Sequence, residues 1–143
     1  MQLQVQRIDT NLPLPAYGSE LASGADLMAR EDVAIPAGEW RAMPTGIAIA
    51  LPPGYEAQIR PRSGLAAKTG VTVLNAPGTV DADYRGEVKA LLINQHPTDT
   101  AHLRRGDRIA QLVVAPVMRP ELVDVEALPE TGRGAGGFGS TGS

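Results

Sequence analysis

The chain has 143 residues, 43% of them hydrophobic, and a net charge of −3, a globular composition of one-domain size with no basic stripe to hold duplex nucleic acid or an anionic membrane. It contains no cysteine, which excludes disulfides and thiolate chemistry, and no apolar run approaches bilayer length. Aromatic residues are 3% of the chain, so the core must be built from Val, Leu, Ile and Ala, and a core that thin predicts further apolar burial between copies of the chain.

Prolines from Pro13 to Pro129 cut the chain into strand-length pieces and leave no sustained helical periodicity. At the N-terminus Leu3, Val5 and Arg7 alternate with Gln4, Gln6 and Ile8, the pattern of an edge strand and not of a signal peptide, so a cytoplasmic protein is expected. Next, Ala22-Ser-Gly24-Ala-Asp26-Leu27 puts a carboxylate at the opening of a strand, where by itself it reads as a turn residue. Gly46 to Leu51 and Tyr55 to Arg60 flank Pro52-Pro53-Gly54 and predict a hairpin.

Ser63 to Gly70 predicts the single helix, barely two turns long, with Ser63 as its N-cap and Gly70 at its end. With Arg62 beside it, the start of that helix is a candidate anion site, although serine at a helix start is usually no more than a cap. Val71 to Leu74, Val88 to Ile93 and Ile109 to Val114 are rich in β-branched residues and predict strands. Between the first two, Asn75-Ala-Pro-Gly78-Thr-Val80-Asp81-Ala-Asp83-Tyr84-Arg85-Gly86 holds two carboxylates and a tyrosine; turn chemistry explains such residues, and so does a carboxylate that takes a proton from water. In Gly106-Asp-Arg-Ile-Ala-Gln111, Gln111 is an amide on a strand expected to be buried, and it needs a partner from the protein or from a ligand.

The last stretch, residues 131–143, is mostly Gly, Ser and Thr and cannot bury a face of its own. Yet it holds the single Phe of the chain, Phe138, together with Arg133. Arginine pairs with phosphate, successive glycine N–H groups converge on anions, and a phenyl ring stacks on a flat base, so this arm reads as a lid over a nucleotide. The expected architecture is all-β, a jelly-roll-like barrel or sandwich of short strands with one short helix (residues 1–130) and a flexible C-terminal arm (residues 131–143).

In this order, the clusters ASGADL, PRSGLA, NAPGTVDADYRG, GDRIAQ and RGAGGFGSTG resemble the five motifs of the trimeric dUTPase family, over a stretch from about Asp9 to the end. The resemblance implies hydrolysis of dUTP to dUMP and pyrophosphate with Mg2+, in a homotrimer whose active sites lie between subunits, with no nucleic-acid or membrane partner. It implies that Asp81 orients and deprotonates the attacking water, and that Tyr84 packs on the deoxyribose and leaves no room for a 2′-hydroxyl. Asn75, Gly78 and Val80 would lie on the hairpin that reads uracil, and Arg62, Ser63, Gly64 and Gln111 would contact phosphates. Asp26 would hold magnesium through water, with the metal otherwise on the substrate phosphates, and Arg133, Phe138, Gly139, Ser140 and Thr141 would form the lid. The dCTP deaminases share the fold, but their catalytic glutamate aligns with Leu91, which cannot shuttle a proton. A binding or regulatory trimer without turnover leaves Asp81 unexplained, and a purely structural module leaves Phe138 unexplained.

Overall fold

Proline and glycine punctuation keeps every element short. The computed structural model describes residues 1–139 and runs β1 (Gln4–Arg7), β2 (Ala16–Tyr17), β3 (Ala25–Met28), β4 (Val33–Ile35), β5 (Trp40–Pro44), β6 (Ile47–Ala50), β7 (Tyr55–Arg60), α1 (Ser63–Thr69), β8 (Val71–Val73), β9 (Gly78–Val80), β10 (Lys89–Asn94), β11 (Ala101–Leu103) and β12 (Arg108–Pro116). All ladders are antiparallel, and the largest sheet has the order β2-β3-β12-β7-β9. A second sheet runs β5-β10-β8, and two-stranded ladders join β1 to β6 and β11 to β4. Among the described residues this is the mostly-β architecture with one short helix that the sequence predicts.

Alternation along the strands decides what is buried. Leu27, Ile35, Met43, Val71, Val88, Leu92 and Ile109 are fully enclosed, and no aromatic joins them: Tyr17, Trp40, Tyr55, Tyr84 and Phe138 are all exposed. The core is therefore aliphatic throughout. The fully buried Asn94 is satisfied, donating from Nδ2 to Ile35 O and Asp99 O at 2.8 Å each and accepting from His96 N at 2.9 Å. Among the described residues no helix is long and apolar enough to cross a membrane.

Two local expectations are corrected. The segments flanking Pro52-Pro53-Gly54 are strands, but they do not form a hairpin: β6 pairs with β1, whereas β7 pairs with β12 and β9. The two prolines lack N–H donors and cannot carry a ladder, so the chain turns a corner there and enters another sheet. Helix α1 is capped by Arg62 in an extended conformation (φ −101°, ψ 123°) with no side-chain cap bond, so Ser63 is the first helical residue and not the cap. Its C-terminal end is as expected: Gly70 adopts φ 76° and its N–H donates to Ala66 O at 2.9 Å.

Candidate functional site

The largest sheet lines up polar groups in one row. Asp26 on β3 pairs with Gln111 on β12, and Gln111 pairs with Arg60 on β7. Directly opposed residues point to the same face, so this row presents a carboxylate, an amide and a guanidinium side by side. On the far side of β7, Ile59 pairs with Gly78 on β9, which brings the preceding turn, Asn75 to Pro77, to the other end of the row. Three strand spacings separate the two ends, roughly 14 Å.

Around Asp26 lies a cavity of about 250 Å³ lined by Gly18, Ala22, Gly24, Asp26, Arg62, Ser63, Gly64, Arg108 and Gln111. Asp26 pairs through Oδ1 with Arg62 Nε at 2.8 Å and through Oδ2 with Arg108 Nη1 at 3.4 Å. Two guanidinium groups against one carboxylate leave the cavity with net positive charge in a mildly acidic protein, the balance an anionic ligand requires. Ser63 and Gly64 enter it from the first turn of α1. Gln111 lies across its floor, with Nε2 donating to Pro61 O at 2.9 Å and Oε1 left toward Gly24. A Cβ on Gly24 would sit 3.0 Å from Gln111 Cβ and 3.1 Å from its Cδ, so the residue is glycine because the amide lies against its backbone.

Arg108 was not among the residues expected from sequence. On a regular strand, residues three apart face opposite sides, so Arg108 and Gln111 could not line one cavity. The β3–β12 register shifts between Arg108 and Ala110, and this bulge re-aims Arg108 onto the face of Gln111. The usable signal was a charged residue beside a turn at the strand start; the bulge itself leaves no mark in the sequence.

The second group of candidates lies at the other end of the row. A shallow cavity of about 440 Å³ is lined by Gln58, Arg60, Pro61, Ala76, Pro77 and Gln111, so Gln111 is shared with the first. Gly78 and Val80 are buried on β9, and the exposed Asn75 folds back so that a Cβ on Gly78 would meet its amide nitrogen at 3.2 Å. Asp81 and Tyr84 follow on an exposed turn, where Tyr84 N donates to Asp81 O at 3.1 Å and the Tyr84 hydroxyl donates to Glu87 O at 3.1 Å. Neither lines the cavity around Asp26. Arg133 donates from Nε to Gly136 O at 2.6 Å, and Phe138 is fully solvent-exposed. Ser140 and Thr141 lie outside the described residues. The fold thus unites Asp26, Arg62, Ser63, Gly64 and Gln111, sets Asn75, Gly78, Val80, Asp81 and Tyr84 on a neighbouring edge, and leaves Arg133, Phe138 and Gly139 on a separate exposed segment.

A charged network that was also not legible in the sequence braces this edge. Asp9 receives Arg105 Nη1 at 2.5 Å and Nη2 at 3.0 Å, and Arg30 Nε at 3.5 Å. The Arg105 hydrogen bonds chiefly, against an opposing effect of burial, hold the Asp9 carboxyl down at about 2, and the same bonds raise Arg105. Arg30 Nη1 reaches Glu87 Oε1 and Oε2 at 3.2 and 3.3 Å.

The donor set limits what metal the cavity can take. Among the described residues no three His, Cys, Asp or Glu side chains come together as a cage, and Asp26 is the one carboxylate in the cavity. A single carboxylate suits magnesium that keeps several waters and takes its remaining oxygens from substrate phosphates.

A family model described as dUTPase matches residues 10–142 of the chain. A deoxyuridine 5′-triphosphate nucleotidohydrolase from Thermobifida fusca (strain YX) is 56% identical over 142 residues, covering 99% of this chain and 79% of the relative. One of the same name from Nautilia profundicola is 52% identical and covers 99% of each chain. A point mutant of the Staphylococcus bacteriophage 80alpha dUTPase, solved with dUpNHpp, superposes with a TM-score of 0.86 at 27% identity over 99% of both chains. A mutant dUTPase of the S. aureus phage phi11, described as coordinating a structural Mg(II) ion, superposes with a TM-score of 0.82 at 26% identity, covering 91% of this chain and all of that one.

Proposed function

The chain belongs to the dUTPase family, and from that premise we propose that the Asp26 cavity is its phosphate half-site and the Asn75–Tyr84 edge its nucleoside half-site. The reaction is hydrolysis of dUTP to dUMP and pyrophosphate. The observation that carries the assignment of the halves is the row Asp26–Gln111–Arg60, with Arg62 and Arg108 at one end and the Asn75–Pro77 turn at the other.

A triphosphate repels a nucleophile, so catalysis needs positive charge on its oxygens and one oriented water. Arg62 and Arg108 supply fixed charge, Ser63, Gly64 and Gln111 supply donors, and Asp26 keeps both guanidinium groups aimed into the cavity. Asp26 and the substrate phosphates would hold magnesium, which would supply Lewis-acid neutralisation of the same oxygens. Asp81 accepts the proton of the water that attacks the α-phosphorus in line, and pyrophosphate leaves. Asn75 and the backbone at Gly78 and Val80 read the uracil edge, where cytosine would leave donors and acceptors unpaired. Tyr84 lies under the deoxyribose and excludes a 2′-hydroxyl by contact.

Arg133, Phe138, Gly139, Ser140 and Thr141 form the lid, with Phe138 on the base and the others on the phosphates. The sites complete themselves between subunits of a homotrimer. Two observations support this: Asp81 and Tyr84 do not line their own chain's phosphate cavity, and beyond β12 the side chains of Met118, Leu122 and Leu128 are more than four-fifths exposed. Light scattering at micromolar concentration should give three times the chain mass; an active monomer would overturn the subunit arrangement. Substrate choice is tested by supplying each deoxynucleoside triphosphate with magnesium. Pyrophosphate should come from dUTP, and ammonia from dCTP without pyrophosphate from dUTP would assign a deaminase instead.

A further inference from the structure

We propose that Glu87, clamped by Arg30 and the Gly46 N–H, is a positioning residue that sets the Tyr84 ring and thereby the preference for deoxyribose over ribose. The proposal rests on the reading of Tyr84 as the floor under the sugar. That ring is 46% exposed, so surrounding packing does not hold it. What holds it is the backbone three residues on. Its hydroxyl donates to Glu87 O at 3.1 Å, and the ring lies over Gly86, where an added Cβ would meet Tyr84 Cζ at 2.6 Å. The position of the ring is therefore the position of the Gly86–Glu87 backbone.

That backbone is anchored through the Glu87 side chain, which is only 18% exposed. Oε1 accepts Gly46 N at 2.9 Å and Arg30 Nη1 at 3.2 Å, and Oε2 accepts the same Arg30 nitrogen at 3.3 Å. Arg30 is itself held: its Nε faces Asp9 at 3.5 Å, and its carbonyl accepts Arg105 Nη1 at 2.6 Å. Gly46 can approach so closely only because it has no side chain, since a Cβ there would lie 3.0 Å from Asp9 Cβ at a φ of 76°. The clamp thus joins the sugar-facing turn to the N-terminal segment and to the loop before β12. It is separate from the backbone bonds of Val88, whose N–H donates to Ile47 O at 2.8 Å and whose carbonyl accepts the Thr45 hydroxyl at 2.6 Å. Those bonds keep the strand in place when the Glu87 carboxylate is changed, so the clamp can be loosened without unfolding the sheet.

Because Tyr84 N also donates to Asp81 O, the same turn carries the water-activating carboxylate. Loosening it should lower kcat for dUTP and admit UTP, while KM for dUTP changes less than about twofold, since the phosphate cavity is built on other elements. A merely structural role would reduce the folded fraction and scale both substrates alike. The test is steady-state kinetics with dUTP and UTP on the full-length protein and on Glu87→Gln, Arg30→Met, Tyr84→Ala and Ile35→Val. Glu87→Gln and Arg30→Met should each lower the dUTP-over-UTP ratio of kcat/KM about tenfold. Arg30→Met reads the clamp from its far side should Glu87→Gln fold poorly. Ile35→Val, a core change, should lower the melting temperature and leave the ratio alone. If Tyr84→Ala lowers the ratio while Glu87→Gln and Arg30→Met keep the parent value, the clamp proposal is wrong and the reading of Tyr84 stands. If Tyr84→Ala leaves the ratio unchanged, that reading fails and takes the proposal with it.

Discussion

Replacing Gly24 by alanine should disable the phosphate half-site by displacing the amide of Gln111. The new Cβ would stand 3.0 Å from Gln111 Cβ and 3.1 Å from Gln111 Cδ, and closer still to Oε1, so the amide must leave its place. Leaving costs the 2.9 Å bond to Pro61 O, about 1 kcal/mol, and a strained rotamer, about 0.5–1.5 kcal/mol. Alanine returns about 0.4–1 kcal/mol by restricting the unfolded chain, since Gly24 shows no positive φ. The net loss of stability is about 1 kcal/mol, a fall in Tm of about 3 °C. The loss of function is larger, because a hydrogen bond to a charged phosphate contributes about 1.5–3 kcal/mol, or about ten- to a hundredfold in kcat/KM. The assay is a double-mutant cycle on hydrolysis rate with Gly24→Ala, Gln111→Ala and the pair. If Gly24 acts through Gln111, the double variant should stay within about threefold of Gln111→Ala alone. Effects that simply add would refute the coupling.

Other consequences are open to measurement. Asp81→Asn should bind a non-hydrolysable dUTP analogue normally and turn over on the order of a hundredfold more slowly, as loss of a general base does; unchanged turnover would remove Asp81 from the chemistry. Deleting residues from Arg133 onward should leave the oligomer mass unaltered and nearly abolish hydrolysis, with Phe138→Ala milder because only stacking is lost; full-rate turnover by the truncated chain would end the lid proposal. Asp9 titrates near 2 in the folded chain against an ordinary 3.8, so its contribution is fully present above about pH 4 and is lost as pH falls toward 2. Thermal melts across that window should show a steeper acid loss for the parent than for Asp9→Asn, and parallel profiles would contradict the sign.

What sequence reveals here follows the range of the interaction. Strands β8, β10 and β12 are visible because β-branched residues cluster locally, and the end of α1 is visible because Gly70 must take a left-handed conformation. The pairing of β6 and β7 with different sheets is set by partners far along the chain, which local turn chemistry at Pro52-Pro53-Gly54 cannot report. The site divides in the same way. Asp26, Arg62, Ser63, Gly64 and Gln111 were legible as residues of three of the five ordered motifs, and the fold gathers them into one cavity. Arg108 was not, because a bulge changes its face, and neither was Glu87, whose clamp partner Arg30 lies 57 residues away. The Asp9–Arg105 pair spans 96 residues and has no local signature at all. The lack of core aromatics was legible in full: with five such residues in the chain and every one exposed, the aliphatic interior follows from composition.

The central claim is that water attacks the α-phosphorus of dUTP and releases intact pyrophosphate. Hydrolysis in heavy-oxygen water, followed by mass spectrometry of both products, reads that bond directly. The label should appear once in dUMP and not at all in pyrophosphate. Label in pyrophosphate would place the attack at the β-phosphorus, and dUTP left unconsumed would contradict the assigned activity itself.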